Sequence, residues 1–156
     1  MSDIGIDLTA NDATAQFYLG TIISQPDSGV MKKYKYIQYN AASAAVAGVA
    51  GEVAYYAKVA TGDATGTIVT SDLSDSDEVG AGVLKAALTD DYYGWIQVSG
   101  PATLTIALTA GVADGDPLTP TGTEDGALDV TAAATSAVCA YAIDASAKII
   151  LCDFPH

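Results

Sequence analysis

The amino-acid sequence predicts an all-β fold, a small β-barrel or sandwich of short strands behind an extended N-terminal arm. Three observations carry that expectation. Short segments rich in Val, Ile, Tyr and Thr recur at spacings of about 8–12 residues, with Gly, Asp and Thr turns between them. No stretch demands a helix. A loose internal repeat divides the β domain, 32–156, into two lobes at 32–101 and 102–154. With 156 residues the chain is about one domain, large enough to bury roughly 68–70% of the surface of its unfolded form.

Residues 1–31 make the arm and a first extended segment. Met1 to Ala15 has no apolar period and reads as an arm ordered by a partner surface. Gln16 to Ser24 holds the clusters Phe17-Tyr18-Leu19 and Thr21-Ile22-Ile23 and reads as extended, ending at the turn signal Gln25-Pro26-Asp27-Ser28-Gly29.

Lys32 to Asn40 alternates, with Tyr34 and Tyr36 on one side and Lys33, Lys35 and Ile37 on the other, which predicts a strand with one wet, locally basic face. Ala41 to Ala50 is ambiguous on propensity, and the repeat arbitrates. Ala47-Gly48-Val49-Ala50-Gly51-Glu52-Val53 aligns with Ala110-Gly111-Val112-Ala113 followed by Gly115-Asp116-Pro117, where the segment is too short and Gly-rich for a helix. A turn is therefore expected in both copies, with at most one helical turn in the first.

The repeat continues. Gly66 to Thr70 matches Gly126 to Val130, Val79 to Leu84 answers Ser136 to Tyr141, and Gly94 to Val98 corresponds to Lys148 to Cys152. The stretch from Asp90 to Pro101 holds the only Trp and has apolar residues on both faces. It reads as a buried strand, with Tyr93, Trp95 and Ile96 in the core or in a subunit interface.

Composition excludes several functions. Six Lys, no Arg and nineteen acidic residues give a formal net charge of -13, which repels nucleic-acid phosphates and lacks the bidentate clamp of Arg. The longest weakly polar run, Ala41 to Ala50, falls well short of the ~20 residues of a membrane span. The start of the chain has neither the charged nor the apolar region of a secretory signal, so synthesis in a cytoplasm is expected.

No catalytic or metal-binding apparatus is expected, and no cofactor. The sole His is His156, the last residue and expected to be mobile, so neither a Ser-His-Asp set nor a His-rich metal site can be assembled. The cluster Ser71 to Glu78 reads as a solvated hairpin loop in preference to a calcium site, since its spacing does not fit an EF-hand. Cys139 and Cys152 read as buried thiols; a disulfide between them would be worth about 3 kcal/mol. Nine Tyr and one Trp leave carbohydrate stacking open beside core packing.

Phe17-Tyr18-Leu19-Gly20-Thr21, the turn at Pro26 to Gly29, Tyr34-Lys35-Tyr36-Ile37-Gln38-Tyr39-Asn40-Ala41-Ala42, the Gly51-Glu52-Val53 turn and Tyr93-Gly94-Trp95-Ile96-Gln97 together resemble the capsid decoration (cement) proteins of tailed bacteriophages. The resemblance spans roughly Phe17 to Ile150 and rests on strand and turn patterns. It implies a β-tulip-like protein on the outer face of an expanded icosahedral capsid, bound to the major capsid protein as a homotrimer and stiffening the shell. On this reading Phe17, Tyr18, Leu19, Ile22 and Ile23 anchor the arm to the capsid or to a neighbouring copy. The chain departs from the family in its longer N-terminal region and its lack of Arg. A receptor- or carbohydrate-binding module of a head fibre is the alternative.

Overall fold

Strands β2 (Val30–Tyr39) and β6 (Tyr93–Thr103), numbered in chain order, are the two longest among the described residues, and they pair antiparallel from Gln38↔Tyr93 to Lys33↔Ser99. They organise a computed structural model that describes residues 5–41, 46–58, 66–120, 124–131 and 136–156. Met1 to Ile4 of the arm and 42–45 of the Ala-rich segment lie outside the described residues.

Between these two strands the chain forms β3 (Val53–Ala57), β4 (Ile68–Thr70) and β5 (Ser76–Leu84). β4 lies parallel to the end of β2, and the pairs β4–β3, β3–β5 and β5–β6 are antiparallel. The ring β2-β4-β3-β5-β6 therefore closes on itself as a five-stranded barrel, which removes its free edges.

Two further groups extend the barrel. β1 (Ile22–Asp27) pairs with the first half of β2 across a turn at Ser28 and Gly29, whose φ angles are 54° and 82°. This strand runs through Pro26, where the sequence suggested the turn would already have begun; an edge strand tolerates a proline. On the far side, β10 (Ile149–Asp153) pairs with the end of β6, followed outward by β9 (Ala140–Asp144), β7 (Pro117–Thr119) and β8 (Asp129–Val130).

The two halves share a strand order. Neighbours run β4-β3-β5-β6 in the first and β8-β7-β9-β10 in the second, antiparallel throughout. Each begins at a left-handed glycine, Gly51 (φ +84°) or Gly115 (φ +86°), a conformation that L side chains rarely adopt. Leu84↔Ile96 and Ala142↔Ile150 are equivalent pairs, as the alignment of Gly94 with Lys148 requires. The alignment of β5 with β9 is out by one residue, because Val83 opposite Val53 corresponds to Tyr141 opposite Pro117. Small-residue runs look alike after a one-residue slip. Both halves pack on a single core that includes Ile37, Val69, Ile96, Leu118, Ile150 and Phe154.

Two expectations fail in part for one reason, the covering of a surface taken as wet. Lys35 is only 8% exposed, and its Nζ donates to the Tyr56 hydroxyl at 3.0 Å and the Gly66 carbonyl at 2.9 Å. Lys32 pairs with Asp27 at 2.8 Å, whereas Lys33 is exposed, so the face of β2 stays wet at Lys33 and is covered from Lys35 onward. The Ser71 to Glu78 cluster is solvated only in part, at Ser74, Asp77 and Glu78. Asp72, 2% exposed, caps a 3-10 turn at Leu73–Asp75 by accepting from the Ser74 and Asp75 amides, and Ser71 and Ser76 are buried.

A polar seam joins the second half to the barrel. The Tyr39 hydroxyl donates to the Val46 carbonyl at 2.7 Å and lies 2.6 Å from Ser71 Oγ. Gly126 donates to the Ser71 carbonyl and accepts from the Val53 amide. The Tyr55 hydroxyl donates to the Ala127 carbonyl. Cys139 and Cys152 are buried free thiols, and burial pushes both up to about 12.

Candidate functional site

The register of β2 against β6 sets Tyr36 beside Trp95 and Tyr34 beside Gln97. Tyr34, Tyr36 and Trp95 form a second apolar cluster, separate from the main core and no more than 1% exposed. Ile96, the next residue along β6, points the other way into the main core, as strand alternation requires. Of the residues read as core or interface, Trp95 and Ile96 are buried on opposite sides of one strand, and Tyr93 is half-buried at the margin of the second cluster.

The arm is what covers that cluster. Ile6, Leu8 and Ile23 pack against it, and Phe17 meets it edge-on, its ring centroid 5.2 Å from Tyr36 and 5.3 Å from Trp95. Asp12 and Tyr93 exchange two backbone hydrogen bonds of 2.9 Å, and the Tyr36 hydroxyl donates to Asp12 Oδ2 at 2.9 Å. Gly94 lets the arm approach: a Cβ there would stand 3.1 Å from the Ala10 carbonyl and 2.6 Å from Leu88 Cδ2. The expectation of an arm ordered only by a partner is thus corrected for residues 5–15. A bare face of Tyr34, Tyr36 and Trp95 is costly in water, and the arm is the segment within reach.

Burial shapes the chemistry under the arm. The Tyr34 phenol is pushed up to about 12 by desolvation, and Tyr36 is raised for the same reason. The Tyr34 hydroxyl and Trp95 Nε1 are buried without hydrogen-bond partners; the arm is held by ring packing, by the Asp12 bridge, by the Asn11 side chain, which donates to Thr89 Oγ1 and accepts from the Thr89 amide, and by the Gln16 amide, which donates to the Tyr36 hydroxyl.

The five arm anchors divide. Ile23 packs on its own barrel, Phe17 meets that barrel with one edge of its ring while 37% exposed, and Tyr18 is 93% exposed, with Leu19 and Ile22 partly so. Ala15, Gln16, Phe17, Tyr18 and Thr21 line a shallow depression of about 480 Å³. A second group of exposed apolar residues, Tyr141, Ile143 and Leu151, escaped the sequence reading. Their signal in β9 is the alternation of large residues with Ala, in which Ala140 and Ala142 are the buried members, while in β10 Leu151 stands exposed between the buried Ile150 and Cys152.

Among the described residues no three His, Cys, Asp or Glu side chains are grouped to hold a metal ion, and no helix is long and apolar enough to cross a membrane. Compared with protein families, curated proteins and solved structures, the chain matches none.

Proposed function

We propose that the chain is a structural virion protein. It decorates the outer surface of an icosahedral phage capsid, binds the major capsid protein as a homotrimer and stabilises the shell without catalysis or cofactor. The observation that carries this reading is Tyr18, an aromatic residue 93% exposed on a segment whose neighbour Phe17 is fixed against Trp95 and Tyr36. An ordered segment that offers a large side chain to solvent has already lost its conformational freedom, so docking costs less entropy. The pattern resemblance to decoration proteins supplies the partner. Three such segments on one trimer act at high effective concentration, and modest single contacts then give lasting attachment.

The same exposed aromatic favours a second reading, a carbohydrate- or receptor-binding head-fibre module. Co-sedimentation of the protein with empty expanded capsids separates the two. Decoration predicts saturable binding that falls at least tenfold in Tyr18→Ser. Binding to host glycans with none to capsids would replace it by the second reading.

A further inference from the structure

Strand register places a set of exposed and half-buried side chains on one continuous sheet face that the core does not use. Residues directly opposite each other in adjacent strands share a face. Lys33 is opposite Ser24 of β1 and Ser99 of β6, and Ser99 is opposite Asp153 of β10. Two residues further along, Met31 is opposite Pro26, while Leu151 is opposite both Pro101 and Tyr141, and Tyr141 is opposite Pro117. The face thus crosses β1, β2, β6, β10, β9 and β7. Met31 is 62% exposed on it, Leu151 44% and Tyr141 42%. Among the described residues, the arm packs on the Trp95 cluster and not on this face.

We propose that this face is the contact surface between copies of the chain. The inference deepens the self-association contained in the proposed function, and rests on it. Three features select a second copy as the occupant. The face is poor in charge on a chain of net charge -13, so it is where like-charged copies repel least. Its row of polar residues carries Lys33 toward one end and Asp153 toward the other, so neighbours that meet end to end set a cation against a carboxylate. Size is the third feature. Six strands about 4.8 Å apart, with about five residues of most at ~3.3 Å and three of β7, span a face of at most roughly 29 by 17 Å. Its flat area is at most roughly 490 Å², and the accessible area of a surface studded with side chains is larger, to be set against the ~800 Å² per partner of a standard interface.

Light scattering after size-exclusion chromatography tests this on the full chain. Wild-type protein at micromolar concentration is expected as an oligomer. Tyr141→Glu with Leu151→Glu should raise the midpoint concentration of assembly at least a hundredfold. Lys33→Glu alone should raise it about tenfold, and Lys33→Glu with Asp153→Lys should restore most of the loss, which a merely misfolded variant would not do. All the altered side chains are exposed, and unchanged far-ultraviolet dichroism and Trp95 emission would verify folding. A monomeric wild type overturns self-association and this face together. An oligomeric wild type whose mass is indifferent to all these substitutions overturns the face alone.

Discussion

Glu52 and Asp116 close the same turn in the two halves of the fold. Each carboxylate accepts the backbone N–H three residues before it, Glu52 from Val49 and Asp116 from Ala113, both at 2.8 Å. The surroundings differ, since Glu52 is 8% exposed and its carboxyl is raised by burial, while the Asp116 bond lies in solvent.

The burial of Glu52 makes its contribution to stability depend on pH. A carboxyl whose folded value is raised contributes stability below its unfolded value near 4.5, and the contribution is lost as pH rises through the folded value. Glu52→Gln keeps an acceptor for Val49 without a charge, so the fall in stability above about pH 4.5 should flatten. Glu52→Ala leaves buried groups unpaired and should cost about 1–3 kcal/mol, against about 0.5–1 kcal/mol for Asp116→Ala in water. Urea denaturation at several pH values measures all three.

Phe17 should hold the arm. Its edge-on contacts with Tyr36 and Trp95 are of the kind worth about 0.5–1.5 kcal/mol beyond area burial, and Phe17→Ala is expected to destabilise the protein by about 2 kcal/mol in all. Acrylamide should quench Trp95 emission more readily in the variant. Equal quenching in both proteins would show that Phe17 does not keep the arm seated.

The fold should fail in alkali. Burial raises Cys139, Cys152 and Tyr34 to about 12, and raises Tyr39 and Tyr55 as well. Each favours the protonated folded form, so its stabilising contribution is complete below the unfolded values, near 9 for thiols and 10 for phenols. It is lost as pH climbs toward the folded values. Stability should therefore decline from about pH 9 upward, and tyrosinate absorbance should rise late, together with loss of the dichroism signal.

Much of the fold was legible because its turns and periods are local. Alternation gave β2 and β6, and Gly51-Glu52 against Gly115-Asp116 gave the repeated turn. Closure was not legible, since the pairing of Gln38 with Tyr93 spans more than fifty residues and leaves no local trace. Without closure, Lys35 looked solvated. The arm failed for the same reason: Asp12 and Phe17 find partners at Tyr93 and Trp95, and no spacing within residues 1–31 encodes that meeting. Tyr141 and Leu151 were missed because large apolar residues read as buried until their neighbours, Ala140 and Ala142 for the one and Ile150 and Cys152 for the other, are seen to fill the core.

Deletion of Met1 to Ser24, the simplest truncation, would remove half of β1 and uncover Trp95, so point substitution at Tyr18 is the cleaner probe of docking. Tyr18→Ser should leave the thermal midpoint within about 1 °C of wild type, because a side chain this exposed adds almost nothing to folding.

Shell stabilisation by a bound protein follows from mass action, since a ligand of the assembled lattice that does not bind its dissociated parts shifts the equilibrium toward assembly. The most direct measurement is the temperature at which expanded capsids break open, with and without saturating protein, followed by light scattering and negative-stain imaging. The account predicts a higher opening temperature in proportion to occupancy, with protrusions at fixed lattice positions and no shift from Tyr18→Ser at equal concentration. An unchanged opening temperature and bare shells at saturating wild-type protein would contradict it.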